Sequence, residues 1–214
     1  MKEEQKTRPD HHHEPPDPML DQRFLEGLSY ATKLHSRQAR KGTRVPYVAH
    51  LLGVASIVLA EGGDEDMAIA ALLHDAVEDQ GGKPVLREIE RRFGKRVARL
   101  VEACTDADTT PKPPWKDRKV RYIEAIRHEP ADARLISAAD KLHNARDILA
   151  DYRQHGEQVW SRFRGGRDGT LWYYRALVEA FRAAGGNRLV DELDRVVSEL
   201  EALAGRNGHA ATGN

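Results

Sequence analysis

The segment LLHDAVED, residues 72–79, places four ionisable side chains in an otherwise apolar stretch: His74, Asp75, Glu78 and Asp79. In a helix, residues four apart share a face, so His74 lies next to Glu78 and Asp75 lies next to Asp79. Burial of such groups costs free energy unless they are paired or bind a cation. The pattern therefore predicts a metal site. The plainer alternative is the polar end of a helix, because two glycines follow directly.

Two other apolar segments each contain polar residues that need an explanation. His50 interrupts VPYVAHLLGVASIV, and Asp140 interrupts ISAADKLHNARDIL, with Asn144 one helical turn later. His50 and Asp140, together with His74 and Asp75, give two imidazoles and two carboxylates. This mixed nitrogen and oxygen set suits Mn²⁺ or Fe²⁺ with water completing an octahedron, whereas zinc more often takes a tighter tetrahedral set. Taken singly, His50 could equally be a buried histidine bonded to a backbone carbonyl.

The segments that carry these residues have the apolar periodicity of helices. Residues 21–40 place an apolar stripe on one helical face, Pro46 fits the first turn of the next helix, and Asp64 fits the N-cap of a third. Further helical patterns lie between Asp64 and Asp140, one contains Asp140 itself, and two more lie near the C-terminus. Period-two alternation is almost absent, so we expect an all-α bundle of about eight to ten helices, a fold that builds metal sites from facing helices.

The chain of 214 residues suits one domain with tails. Charge, histidine and proline dominate the first 18 residues, and the last residues are polar and glycine-containing. We therefore predict a disordered tail at 1–18, a single domain at 19–205 and a loose C-terminus at 206–214. Within the domain, the core covers 25–150 and the C-terminal helices cover 168–204.

Composition excludes several classes of protein. Lys plus Arg and Asp plus Glu both number 34, so no overall charge draws the chain to nucleic acid or to a membrane surface. The single Cys104 excludes an internal disulfide framework. No apolar stretch reaches the roughly 20 residues that span a bilayer, and no signal peptide is evident. We expect a cytoplasmic protein that binds a small molecule; the sequence leaves its oligomeric state open.

Three motifs in order, PYVAH, LLHDAVED and AADKLHNAR, resemble the HD-domain hydrolases of the alarmone, or (p)ppGpp, hydrolase family. The likeness runs from about Leu25 to Asp147 and is greatest to the single-domain small alarmone hydrolases, including the animal-type enzymes. The resemblance implies an all-helical fold and a Mn²⁺ ion held by four residues, which here are His50, His74, Asp75 and Asp140.

The same resemblance implies roles for other residues. The family's acidic pair, which activates water, falls on Glu78 and Asp79. Its basic motif near the nucleotide base and phosphate falls on Arg40 and Lys41. The asparagine that follows the last metal ligand falls on Asn144, and the stretch TDADTTPKPPWKDRK places Lys119 or Arg118 near a substrate phosphate.

The sequence also departs from the family pattern. Leu51 stands where proline usually follows the first histidine, and the loop between Lys41 and Pro46 is one residue longer than expected. Asp106 replaces a lysine of the long bifunctional members, and DGTLWYYRALVEAF has no counterpart in the family core. These departures leave the four metal residues intact and the base specificity open.

We therefore predict hydrolysis of a nucleotide 3′-pyrophosphate, which yields GDP or GTP and pyrophosphate. One alternative is a phosphatase of the same fold that acts on NADPH or a deoxynucleotide 5′-phosphate. Another is a catalytically weak nucleotide-binding regulator, which would not need the acidic pair. A nucleic-acid-binding module fits the neutral charge least well.

Several other residues have plainer interpretations. We expect His35 and His143 to pack or to support the ligands, Cys104 to be a small buried apolar residue, and the aromatic run 172–174 to belong to the core. The basic segment 161–168, RFRGGRD with its preceding serine, is either a solvated connector or a flap that offers Arg164 or Arg167 to phosphates.

Overall fold

The computed structural model describes residues 19–106 and 113–210. Within these ranges the chain forms ten α-helices and one 3-10 helix, Gly156–Arg162, and no strands apart from one isolated β-bridge. The all-α prediction is therefore confirmed for the described residues. The helices are α1 Gln22–Leu34, α2 Val48–Ala60, α3 Glu65–Leu73, α4 Ala76–Gln80, α5 Lys83–Phe93, α6 Lys95–Cys104, α7 Trp115–Ile126, α8 Ala131–His155, α9 Gly166–Ala183 and α10 Arg188–Ala210.

Side-chain caps define the starts of two of these helices. Asp64 is extended and its carboxylate accepts a hydrogen bond from the Met67 amide at 3.0 Å, as predicted for an N-cap. Asp21 caps α1 in the same way through the Arg23 amide. Because the cap fixes where α3 begins, it also fixes which residues of α3 face the core and where His74 and Asp75 lie at the end of the helix.

The predicted helix over 21–40 is shorter than expected. It ends at Leu34, and the chain then forms a bridged loop in which Ala39 pairs antiparallel with Pro46. The Arg40 amide donates to the Val45 carbonyl at 2.8 Å, and the Tyr47 amide donates to the Gln38 carbonyl at 2.9 Å. Pro46 therefore belongs to the bridge and not to the first turn of α2, because its neighbours' backbone groups are satisfied across the loop.

The continuous helix expected over LLHDAVED is also interrupted. α3 ends at Leu73, and His74 and Asp75 form a turn before α4 begins at Ala76. In an unbroken helix, consecutive side chains point about 100° apart. The break brings the side chains of His74 and Asp75 to the same side of the chain, where they contact each other.

The long helix α8 lies at the centre of the bundle. It packs against α2, α3, α6, α9 and α10, and its buried residues include Ile136, Leu142, Ala145 and Leu149. Asp140 sits among these apolar residues with only 6% of its surface exposed. A charged residue in this position must be compensated by its neighbours or by a cation.

α10 extends further than predicted. The loose C-terminus expected at 206–214 is wrong for residues 206–210, because the helix continues to Ala210. Its preceding turns are fixed by buried residues such as Leu200 and Ala204, which support continued helix despite two glycines. The expected tail 1–18, residues 107–112 and residues 211–214 lie outside the described residues. Within the described ranges, no helix combines the length and apolarity needed to cross a membrane.

We expect Leu193→Ala to destabilise the fold far more than Leu52→Ala. Leu193 on α10 is fully buried, whereas Leu52 on α2 is 44% exposed. Truncation of a buried leucine leaves a cavity and costs about 2–5 kcal/mol, while the exposed change stays near about 0.5 kcal/mol. Urea denaturation followed by circular dichroism measures both values, and equal losses would contradict the packing of α10 described here.

Candidate metal and nucleotide site

Three separate chain segments bring the four predicted metal ligands together. His50 comes from α2, His74 and Asp75 from the break between α3 and α4, and Asp140 from α8. His50 Nε2 lies 3.1 Å from Asp140 Oδ1, and His74 Nε2 lies 3.0 Å from Asp75 Oδ2. The cross distances are 3.6 Å from His74 Nε2 to Asp140 Oδ1 and 3.8 Å from His50 Nε2 to Asp75 Oδ2.

Hydrogen bonds turn the Nε2 atoms of both histidines toward the carboxylates. His74 Nδ1 lies 2.8 Å from the Ala71 carbonyl, which fixes the proton on Nδ1. His50 Nδ1 lies 3.1 Å from Nδ1 of His143. Both Nε2 atoms are buried and lie 3.0–3.1 Å from a carboxylate oxygen, but neither is aligned for a regular hydrogen bond among the described residues. Buried nitrogens without partners are costly, and a cation coordinated by both would satisfy them.

The electrostatics of the cluster suit a cation. Burial alone would raise the pKa of Asp75 and Asp140, but neighbouring positive groups, chiefly His74 for Asp75 and Lys141 for Asp140, hold both values well below normal. Burial lowers the pKa of His50, whereas the two carboxylates outweigh burial at His74 and raise its pKa well above normal. Protonated His74 thus balances the carboxylates, and a bound divalent cation would replace its proton.

Three further side chains hold the carboxylates in place. The Tyr47 hydroxyl donates to Asp75 Oδ2 at 2.5 Å, and Asn144 Nδ2 donates to Asp140 Oδ1 at 2.5 Å. Lys141 Nζ donates to Asp140 Oδ2 at 2.5 Å. Asn144, expected from the resemblance only as a substrate contact, therefore also contacts a ligand residue.

Sequence reasoning did not identify the contacts of Tyr47 and Lys141. Tyr47 precedes His50 by three residues, a spacing that places two side chains on one helical face, and this was an available signal. Lys141 follows Asp140 directly, which gives no such signal, because adjacent residues on a helix do not face each other.

The predicted acidic pair lies on the short helix α4, directly after the ligand turn. Glu78 and Asp79 line the same cavity as Asp75 and Asp140. Asp79 Oδ2 accepts a hydrogen bond from Gln38 Nε2 at 2.7 Å. The geometry therefore places two carboxylates beside the four-residue cluster, where they can accept a proton from a nearby water.

A cavity of about 790 Å³ opens next to the cluster, within the volume range of small-molecule sites. The predicted substrate residues Arg40, Lys41, Lys119 and Asn144 all line it. Lys119 donates to Asp106 at 2.9 Å, and burial together with nearby Lys141 lowers the pKa of Lys119. The remaining basic side chains of the wall are Arg118, Lys141, Arg162 and Arg164. An anionic ligand would find positive charge on several sides.

The basic segment 161–168 is divided between the cavity and the core. Arg162 lines the cavity and pairs with Asp151 at 2.6 Å, and Arg164 also lines it. Arg167 instead donates to the Ala204 carbonyl at 2.7 Å, so of the two arginines considered for phosphates Arg164 lines the cavity and Arg167 does not. Ser161 and Arg162 end the 3-10 helix, residues 163–165 join it to the next helix, and α9 begins at Gly166.

The other residues with plainer interpretations pack as expected. His35 is 2% exposed and stacks on Tyr47, with ring centroids 5.1 Å apart. Tyr173 and Tyr174 are buried and contribute to the cavity wall. Burial raises the pKa of the Cys104 thiol to about 11, which excludes a reactive thiolate near neutral pH.

Comparison with known proteins places this site in a family. Residues 27–171 match the HD domain family. The chain is 42% identical over 128 residues to the guanosine-3′,5′-bis(diphosphate) 3′-pyrophosphohydrolase MESH1 of Homo sapiens, covering 58% of this chain and 69% of that protein. The MESH1 of Drosophila melanogaster is 34% identical over 184 residues, covering 85% of this chain and 96% of that protein.

Solved structures give the same result. A structure of a metazoan ortholog of SpoT that hydrolyzes ppGpp superimposes with a TM-score of 0.70 at 32% identity, covering 84% of this chain and 96% of that one. A crystal structure of a Listeria monocytogenes EGD-e protein superimposes with a TM-score of 0.63 at 33% identity, covering 71% and 97%. Both likenesses extend over nearly the whole of the compared chains.

We expect Gly53→Ala to weaken metal binding, although residue 53 contacts no ligand atom. A Cβ at this position would lie 2.2 Å from the ring of His143, so the ring must move away from His50. Loss of a contact that orients a ligand costs about 10–100-fold in metal affinity or activity. Gly205→Ala on α10 is the matched control, because its Cβ would meet no atom within 4 Å. Calorimetric titration with Mn²⁺ measures the effect, and equal affinities would contradict it.

Proposed function

The chain belongs to the HD domain family, and we propose that it is a Mn²⁺-dependent hydrolase that removes the 3′-pyrophosphate of (p)ppGpp. The products are pyrophosphate and GDP or GTP. The observation that carries the proposal is the pair of buried histidine Nε2 atoms that converge on two carboxylates beside a cavity lined with basic side chains. The names of the MESH1 relatives state this activity, and the choice of substrate rests on them.

The metal would be held by His50, His74, Asp75 and Asp140. Two imidazole nitrogens and two carboxylate oxygens favour Mn²⁺, with Fe²⁺ as the alternative. When bound, such a metal lowers the pKa of its water and polarises a phosphoryl oxygen. The hydrogen bonds from Tyr47 to Asp75 and from Asn144 to Asp140 orient the two carboxylates toward the same space.

Glu78 and Asp79 would accept the proton of the attacking water. They lie three and four residues after Asp75, about one helical turn, and line the same cavity. General-base assistance by a positioned carboxylate contributes about 10²–10⁴-fold to the rate. A protein that only binds the nucleotide gains nothing from two carboxylates next to the phosphates, which supports hydrolysis over a purely regulatory role.

Arg40, Lys41 and Lys119 would bind the phosphates of the substrate. They approach the cavity from two directions, the α1–α2 loop and α7. Phosphoryl transfer spreads charge over the phosphoryl oxygens, and fixed cations stabilise that charge. Asn144 would contribute an amide at the same wall, next to the Arg40 guanidinium that donates to it at 2.6 Å.

We expect the wild-type chain to release pyrophosphate and GDP from ppGpp in the presence of Mn²⁺ and to lose this activity on addition of a chelator. Asp75→Ala should lower the rate more than about 100-fold, because removing even an outer partner of a ligand costs about 10–100-fold. Asp191→Ala is the matched control, since the Asp191 side chain is 69% exposed. Product chromatography measures both.

Other outcomes separate the competing functions. Phosphate release from NADPH or a deoxynucleotide, with ppGpp untouched, would retain the metal chemistry and overturn the substrate. Nucleotide binding without turnover of any of these compounds would favour a regulator. Full activity in the chelated protein would overturn the metal site itself.

We expect Glu78→Gln and Asp79→Asn to lower kcat by about 10²–10⁴-fold while the affinity for Mn²⁺ changes little. The amide side chains keep the shape of the acids and remove only their basicity. Glu199→Gln serves as the matched control, because the Glu199 side chain is 47% exposed on α10. Steady-state kinetics with parallel metal titrations test the pair, and unchanged kcat in both variants would contradict their role.

A further inference from the structure

We infer that Gln38 is a positioning residue that holds the Asp79 carboxylate in its working orientation. The inference rests on the proposed role of Asp79 in accepting the proton of water. Gln38 lies in the loop between α1 and α2, outside the four-residue cluster and outside the wall of the nucleotide cavity. Its function would be exerted entirely through a neighbouring carboxylate.

The Gln38 side chain bridges Asp79 and two residues behind it. Nε2 donates to Asp79 Oδ2 at 2.7 Å. Oε1 accepts from Gln80 Nε2 at 2.6 Å and lies 2.7 Å from His35 Nδ1. Each end of the amide is therefore engaged, and the side chain has one arrangement that satisfies all three neighbours.

The chemistry of the neighbours fixes which way the amide points. A carboxylate only accepts hydrogen bonds, so the atom facing Asp79 must be the nitrogen. The oxygen then faces His35, which requires the His35 proton to sit on Nδ1. A reversed amide would set oxygen against the carboxylate and an N–H group against the Gln80 donor, and would lose both contacts.

The loop that carries Gln38 is rigidly held. The Gln38 carbonyl accepts from the Tyr47 amide at 2.9 Å, and the next residue, Ala39, forms the bridge to Pro46. His35 is 2% exposed and stacks on the Tyr47 ring. Tyr47 in turn donates to Asp75. One residue thus ties the acid of α4 to the same support that orients a proposed metal ligand.

This arrangement explains why a carboxylate on a five-residue helix can be precisely directed. α4 runs only from Ala76 to Gln80, so its own backbone gives it little stability. A fixed amide donor restricts Asp79 to one rotamer, and a general base must be held close to the proton it removes. Without Gln38, Asp79 would lose the 2.7 Å hydrogen bond from this amide, and the base would be in place for less of the time.

The test compares Gln38→Leu and Gln38→Glu with the exposed Gln154→Leu on α8. Leucine removes all three hydrogen bonds, whereas glutamate keeps an acceptor for Gln80 and His35 but loses the donor to Asp79. We expect kcat to fall about 10–100-fold in both Gln38 variants, with KM and Mn²⁺ affinity within about twofold of wild type. Gln154→Leu should leave all three quantities unchanged.

Two results would overturn the inference. Retention of wild-type kcat by Gln38→Glu would mean that only the ties to His35 and Gln80 matter. A rise in KM, or a loss of Mn²⁺ affinity equal to the loss of kcat, would mean that Gln38 acts on substrate or metal binding instead. A thermal unfolding scan of each variant identifies a loss of activity caused by unfolding.

Failure of the inference is distinguishable from failure of the proposed substrate. The variants are assayed on whichever nucleotide the wild type hydrolyses among ppGpp, NADPH and deoxynucleotides. A crystal structure of Gln38→Leu gives a readout that needs no activity. We expect the Asp79 carboxylate to rotate away from its wild-type position there, and an unmoved Asp79 would overturn the inference even if wild-type turnover were absent.

Discussion

Two histidine nitrogens and two carboxylates meet in the apolar interior, and their charges must be balanced there. Asp140 is 6% exposed, and both histidines are less exposed still. Isolated charges at such depth cost more than the marginal free energy of folding can absorb. The bundle can bury them only because α2, α8 and the α3–α4 turn bring opposite charges within 4 Å of each other. The residues of α2, α3 and α8 that pack around the cluster are accordingly mostly apolar.

The cluster is supported from one side and open on the other. On the closed side, the bridged loop between α1 and α2 supplies Tyr47 to Asp75 and Gln38 to Asp79. On the open side, the basic wall of the cavity comes from α7, from α8 and the segment after it, and from Arg40 and Lys41 of the same α1–α2 loop. A rigid support behind the reacting groups and cations in front of them is the arrangement that preorganised phosphoryl transfer requires.

Sequence alone predicted the four residues that the structure brings together, because each was a polar residue in an apolar segment, and such an anomaly needs no tertiary information. The N-cap at Asp64 was predictable for the same reason, because the residues that form it are neighbours in the sequence. The turn at His74 and Asp75 was not predictable, since no glycine or proline marks it and the break depends on packing around the cluster. The contacts of Gln38 were hidden for another reason: they join residues about 40 apart through a loop whose bridge has no clear signature.

The basic wall also shows why a neutral chain can select a highly charged ligand. Arg40 is paired with Asp147 at 2.8 Å, Lys119 with Asp106 at 2.9 Å, and Arg162 with Asp151 at 2.6 Å. Each cation is thus held in place by an acid from the protein itself. A ligand with a single negative charge gains little by competing with these carboxylates. A nucleotide with phosphates at both ends contacts several cations at once, and those contacts add without further ordering of the side chains. On the proposed function, selectivity for multiply charged anions would follow from the paired cations and would need no net positive charge on the chain.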